Sequence, residues 1–82
     1  MKITKLDNRF SHFKHGFTHR MSFLPTEYNK YDKVYIFLRS QYDVNWVKKI
    51  EHRAWDSRFN RPTGEYQIFV RDEAIITMAL LS

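Results

Sequence analysis

The chain has 82 residues, 43% of them hydrophobic and 17% aromatic, enough to close one core but not two. The absence of cysteine excludes a disulfide framework and a thiolate metal site, and two glycines are too few for a P-loop or a dinucleotide fingerprint. Fourteen Lys and Arg against nine Asp and Glu give a net charge of +5, which fits either a partner of opposite charge or a solvated basic surface, while the aromatic content argues for a folded chain despite that charge.

The opening MKITKLDNRF is charged and lacks the apolar run of a leader, and nowhere do about 18 apolar residues occur together. Neither a signal peptide nor a membrane span is expected, and the reading is a soluble protein of the cytoplasm, the host cytoplasm if a phage encodes it. Residues 7–24 fit two templates equally. As a helix from Asp7 to a stop at Pro25, Phe10, Phe13, Phe17, Met21 and Leu24 form an apolar stripe, with Gly16 costing about 1 kcal/mol. As a hairpin turning at His15-Gly16, Phe17, His19, Met21 and Phe23 alternate along one face. The helical template also places His12, His15 and His19 on one face, with a zinc-like spacing between the last two. A fourth ligand and supporting carboxylates are missing, so a solvated polar face is preferred and no metal or other cofactor is expected.

Pro25 to Asp32 reads as a polar break. The run KVYIFLRS at 33–40 puts Val34, Ile36 and Leu38 on one side in strand period, and predicts a largely buried strand. Asp43 then caps a short helix whose Val47, Ile50 and Ala54 face inward while Lys48, Lys49 and Arg53 face out. Arg61-Pro62-Thr63-Gly64, between SRFN and EYQIFV, predicts a hairpin near 57–70 with Arg58 and Arg61 at or near its tip. DEAIITMALLS fits a helix capped at Asp72 better than an edge strand. The sum is one α+β domain over 1–82, a short antiparallel sheet with one to three helices, whose core holds Val34, Ile36, Leu38, Val47, Ile50, Ile68 and Val70.

Catalytic constellations are missing. The serines lack a nucleophile-elbow context, no close pair of carboxylates lies in an apolar setting, and nothing in the spacing assembles His12, His19, His52 and Lys14 into an acid–base pair. A non-enzymatic protein is expected. Cations cluster instead at Lys48, Lys49, Arg53, Arg58 and Arg61, interleaved with Trp46, Trp55 and Phe59. Cations neutralise phosphates and flat rings stack on unpaired bases, so Lys48, Lys49, Arg53, Trp55, Arg58 and Arg61 are the candidate binding residues. Both tryptophans also suit the core of so small a chain.

The run VKKIEHRAWDSRF, followed by a strand with Tyr66 and Phe69, resembles the HARP-type module that accompanies some annealing helicases. The resemblance spans residues 34–78, with Arg53-Ala54 where the family has Gly-Arg, and no helicase motor is present. It implies DNA binding with Arg53, Trp55 and Asp56 at the matching positions. Two functions are therefore expected in competition. One is a module that binds single-stranded or distorted nucleic acid without reading sequence. The other is a phage-type inhibitor or adaptor, anti-CRISPR-like, that uses the same aromatic and basic residues against a host protein.

Overall fold

The computed structural model describes residues 1–42 and 49–81 and is an α+β domain built on a four-stranded antiparallel sheet. The strands are β1 (Lys2–Lys5), β2 (His19–Phe23), β3 (Trp55–Asn60) and β4 (Glu65–Val70), in the spatial order β1-β2-β4-β3. The helices are α1 (Ser11–Lys14), α2 (Tyr28–Gln41) and α3 (Glu73–Leu81). Among the described residues no helix is long and apolar enough to cross a membrane.

Each strand alternates its side chains between two faces, and the pairing puts like with like. Met21, Phe23, Ile68, Val70 and Trp55 turn to one face, where Val34 and Leu38 of α2 and Ile76 and Ala79 of α3 close the main core. A smaller cluster of Leu6, Phe17 and Phe69, with Phe10 and Ile50 against it, lies on the other face. Antiparallel sheets commonly bury one face and leave the other to polar residues; here the second face is mostly polar but carries this smaller apolar cluster at one end.

The hairpin and the last helix form where the sequence places them. Residues 61–64 turn between β3 and β4, with Gly64 at φ +71°, a conformation that favours glycine. Asp72 accepts the backbone N–H of Ala74 at 3.0 Å and so caps α3.

The stretch 33–40 is helical, which corrects the expected strand. Leu24 N–H donates to Glu27 Oε1 at 3.0 Å, Pro25 opens a 3₁₀ turn over Pro25–Glu27, and α2 continues from it. The polar stretch 25–32 is thus the start of a helix and not a break. Tyr31, Val34, Tyr35 and Leu38 share one face of α2 in helical period, and all four pack on the main core. Ile36 falls on the opposite side and is 59% exposed, so it does not belong to the core. An apolar run of five residues, Val34 to Leu38, fits either period, and the sheet below α2 selected the helix.

The helix expected from Asp43 falls largely on 43–48, outside the described residues, and Val47 with it. Beyond them the chain makes one 3₁₀ turn at Ile50–His52, Arg53 is extended and Trp55 begins β3, so no helix reaches Ala54. Ile50 is only partly buried and packs on the smaller cluster.

Neither template for 7–24 holds in full. The alternation of Phe17, Met21 and Phe23 is real and belongs to β2, but β2 pairs with Lys2–Lys5 and with β4, not with the segment before Gly16. The preceding residues form the single turn of α1, which ends in a Schellman motif. Phe17 N–H donates to His12 O at 3.1 Å, Gly16 N–H donates to Phe13 O at 3.0 Å, and Gly16 takes φ +96°.

Candidate functional site

Strand register assembles the outer face of the sheet from residues far apart in sequence. Lys2 pairs with Ser22, Ser22 with Gln67 and Gln67 with Arg58, so these four form one row across all the strands. The next row is Thr4, Arg20, Phe69 and Asp56. Side chains two apart on a strand share a face, so both rows present on the side away from α2 and α3.

α1 covers one end of this face and delivers His12 to it. The Schellman turn fixes His12 against Phe17, ring centroids 5.7 Å apart and edge to face. The same imidazole lies flat on Phe69, 3.6 Å away and 5° from parallel. In that position Nε2 is 2.9 Å from Asp56 Oδ2.

Asp56 is the centre of the site. It is 1% exposed and accepts from three cationic or imidazole donors: His12, Arg53 Nη1 at 3.1 Å and Arg58 Nε at 2.9 Å. Burial pushes its carboxyl up, but the hydrogen bonds and charges of His12 and Arg58 outweigh burial and hold it below the usual carboxylate range. An ionised carboxylate only accepts, so His12 donates through Nε2.

A second arginine network holds the ground on which this cluster stands. Arg71 donates to three main-chain carbonyls: Arg53 O at 2.7 Å, His15 O at 2.7 Å and Ile50 O at 3.1 Å. Its guanidinium also sits 4.1 Å from the centre of the Phe17 ring. One side chain thereby ties the α1 turn, the 3₁₀ turn and the start of β3 together. A Cβ at Gly16 would run into Arg71 Nη1, a second reason for glycine there.

Toward β1 the face changes character. Thr4 Oγ1, Arg20 Nε and Ser22 Oγ are buried and have no hydrogen-bond partner among the described residues. Thr4 and Arg20 are direct cross-strand partners, and Ser22 follows two residues along β2. The Arg20 guanidinium is held over the Phe10 ring, 5.2 Å from its centre. Guanidinium only donates and hydroxyls can donate, so all three are buried donors.

The sequence-derived binding residues are only partly brought together here. Arg53 and Arg58 meet around Asp56. Arg58 lies within β3 and not near the turn, because the strand runs on to Asn60. Arg61 is exposed in the turn, and Lys49 is exposed before the 3₁₀ turn. Lys48 and Trp46 lie outside the described residues.

Trp55 is not the stacking residue that the sequence suggests. It is 3% exposed and packed edge-on against Tyr35 at 5.2 Å on the inner face, with no ring face open to a base. Lys2, Thr4, Arg20, Ser22 and His12 join the site without standing out in the sequence as binding residues. The alternation of Phe17, Met21 and Phe23 does put Arg20 and Ser22 on the opposite side, so parity is a usable signal for those two.

The three histidines of the N-terminal segment go to three different partners: His12 to Asp56, His15 to Glu51 at 3.8 Å and His19 to Thr18 at 2.8 Å. Among the described residues no group of three or more His, Asp or Glu side chains is arranged to hold a metal ion. No family model, curated protein or solved structure matches this chain.

Proposed function

We propose that the protein is a non-catalytic module that binds nucleic acid by its phosphates, laying a single-stranded or distorted segment across the outer face of the sheet. The observation that carries this reading is the row of Lys2, Ser22, Gln67 and Arg58 with Arg20 beside it, which puts cations from three strands on one face of the sheet. Most protein–DNA hydrogen bonds go to phosphate and sugar, from arginine, lysine and hydroxyl side chains of this kind. The net charge of +5 favours the same partner, and so does the resemblance of residues 34–78 to the HARP-type module.

Each residue has a part. Arg20 holds one phosphate, and Lys2 and Arg58 flank it from the two edge strands. Asp56 fixes the direction of Arg58 and Arg53 and removes part of their charge. With Trp55 in the core, stacking contributes little, and affinity depends steeply on salt and weakly on sequence.

Fluorescence anisotropy with labelled single-stranded oligonucleotides, taken from low to physiological salt, tests the reading. The logarithm of affinity should fall linearly with the logarithm of salt, and Arg20→Gln should flatten the slope by about 0.7, the share of the single phosphate that the variant leaves unneutralised. Failure to bind at the lowest salt would overturn this reading. The role of host-protein inhibitor or adaptor would then take its place, with Phe59 and Tyr28, 52% and 48% exposed on the inner side of the hairpin, as its anchors.

A further inference from the structure

We propose that the cleft between α2 and the β3–β4 hairpin is a second binding site, one that takes a weakly hydrated organic cation: a guanidinium or a substituted ammonium group. The cleft has a volume of about 330 Å³ and is lined by Tyr28, Tyr31, Asp32, Tyr35, Ser57 and Tyr66. Ser57 and Tyr66 alternate with the residues of the outer face, so the cleft opens on the other side of the sheet from the phosphate site.

The first observation is the arrangement of rings. Tyr28, Tyr31 and Tyr35 recur along one face of α2, and Tyr66 comes up from β4 to meet them. Tyr31 and Tyr66 are 4.8 Å apart at 32°, Tyr28 and Tyr66 are 5.3 Å apart at 65°, and Tyr31 and Tyr35 are 5.8 Å apart at 41°. Rings inclined in this way make walls rather than one flat stack. The face of an aromatic ring is the negative end of its quadrupole, and converging tyrosine faces attract a cation that sheds water easily.

The second observation is the charge. In a chain with 14 Lys and Arg, none of the six lining residues is basic, and the one ionisable group besides the phenols is a carboxylate. Asp32 is partly buried, and its carboxylate makes no hydrogen bond or ion pair with any described residue. Among the described residues Asp7, Glu27 and Asp56 each have a cationic partner within reach and Glu51 lies 3.8 Å from His15, while Glu65, Asp72 and Glu73 have no ion pair, so what sets Asp32 apart is its place among ring faces. A half-buried, unpaired carboxylate among ring faces has charge complementarity with a ligand cation. Burial raises the Tyr31 hydroxyl above its ordinary pKa even though a hydrogen bond with Ser57 works against that, so the phenol stays neutral and Asp32 carries the negative charge of the cleft.

A chemical shift titration on the intact chain, reading the tyrosine ring resonances, tests the site. The probes are N-acetyl-arginine amide, choline, and N-acetyl-citrulline amide, the last matching arginine in shape without its charge. Arginine amide and choline should give saturable shifts at Tyr28, Tyr31, Tyr35 and Tyr66, and citrulline amide should give none. Asp32→Asn should weaken the arginine probe at least tenfold, and Tyr28→Ala, at a half-exposed ring, should weaken choline severalfold with the melting curve unchanged. Equal responses to arginine and citrulline amides, or an Asp32→Asn variant that binds like the wild type, would overturn the proposal. A short peptide with one internal arginine then separates two sources of the cation: tighter binding than the amide assigns the site to a side chain of a protein partner, and equal binding assigns it to a free small cation.

Discussion

The two faces of one sheet are buried by different physics. On the inner face, Met21, Phe23, Ile68, Val70 and Trp55 are covered by apolar residues of α2 and α3, and the stabilisation is non-directional removal of apolar surface from water. On the outer face, Leu6, Phe10, Phe17 and Ile50 gather around Phe69 in a smaller cluster, and the buried polar groups of that face are Asp56, Ser22 and Gln67. There a carboxylate with 1% exposure is tolerated because three donors converge on it. The inner face answers to volume and the outer face to charge.

The largest expected effect tests the inner face. Leu38→Ala removes a fully buried side chain from the main core and should cost about 2–5 kcal/mol in a urea or thermal melt. Ile36→Ala, two residues away on the exposed side of α2, should cost no more than about 0.5 kcal/mol. Equal losses would mean that 33–40 is not the helix described.

On the outer face, Asp56→Ala leaves Arg53, Arg58 and His12 without their acceptor. The loss should be about 2–3 kcal/mol, below the full penalty for breaking a buried ion pair because half-exposed Arg58 regains water. A loss under about 0.5 kcal/mol would show that the cluster is decoration on a face held by Phe69 alone. Gly16→Ala should follow, at about 1 kcal/mol or more, since a side chain at φ +96° is strained and meets Arg71.

Changing pH separates the two faces further. Asp56 has its folded pKa lowered from the unfolded value of about 3.9. A group of that kind contributes stability that is fully present above the unfolded value and is lost as pH falls through the folded one. Wild type and Asp56→Asn should therefore differ most near neutral pH, and the difference should shrink below about pH 4. Leu38→Ala should differ from wild type by much the same amount across that range. A constant gap for Asp56→Asn would mean that its carboxylate is not what the donors hold.

The smallest stability effect should accompany a visible effect on binding. Arg58→Ala is expected to cost no more than about 1 kcal/mol, because the side chain is 52% exposed, and to reduce the salt slope of oligonucleotide binding by about 0.7. An unchanged slope would take Arg58 out of the phosphate-binding row.

Local chemistry is legible wherever a residue type permits few backbone conformations. Pro62 and Gly64 announce the hairpin, and Asp72 announces α3. Pro25 does mark a boundary, but it starts α2 rather than ending a helix before it. Gly16 suits neither a helix interior nor a hairpin turn; it is the residue after a one-turn helix, a role signalled by Phe17 following it against His12. The run at 33–40 is illegible from sequence because alternation and helical spacing fit its apolar residues equally well.

The candidate site divides in the same way. Parity along β2 and β3 is a property of the chain itself, and it fixes that Arg20 goes with Ser22, and Asp56 with Arg58. Which strands lie beside one another is not local information, and only the tertiary pairing joined Lys2 to Ser22, Gln67 and Arg58 and brought His12 to Asp56 across 44 residues. The physical reason is that a strand specifies which side chains share a face but not which neighbour satisfies its backbone. That choice was made by the inner core, whose closure under α2 and α3 set the register and, with it, the composition of the face it left open.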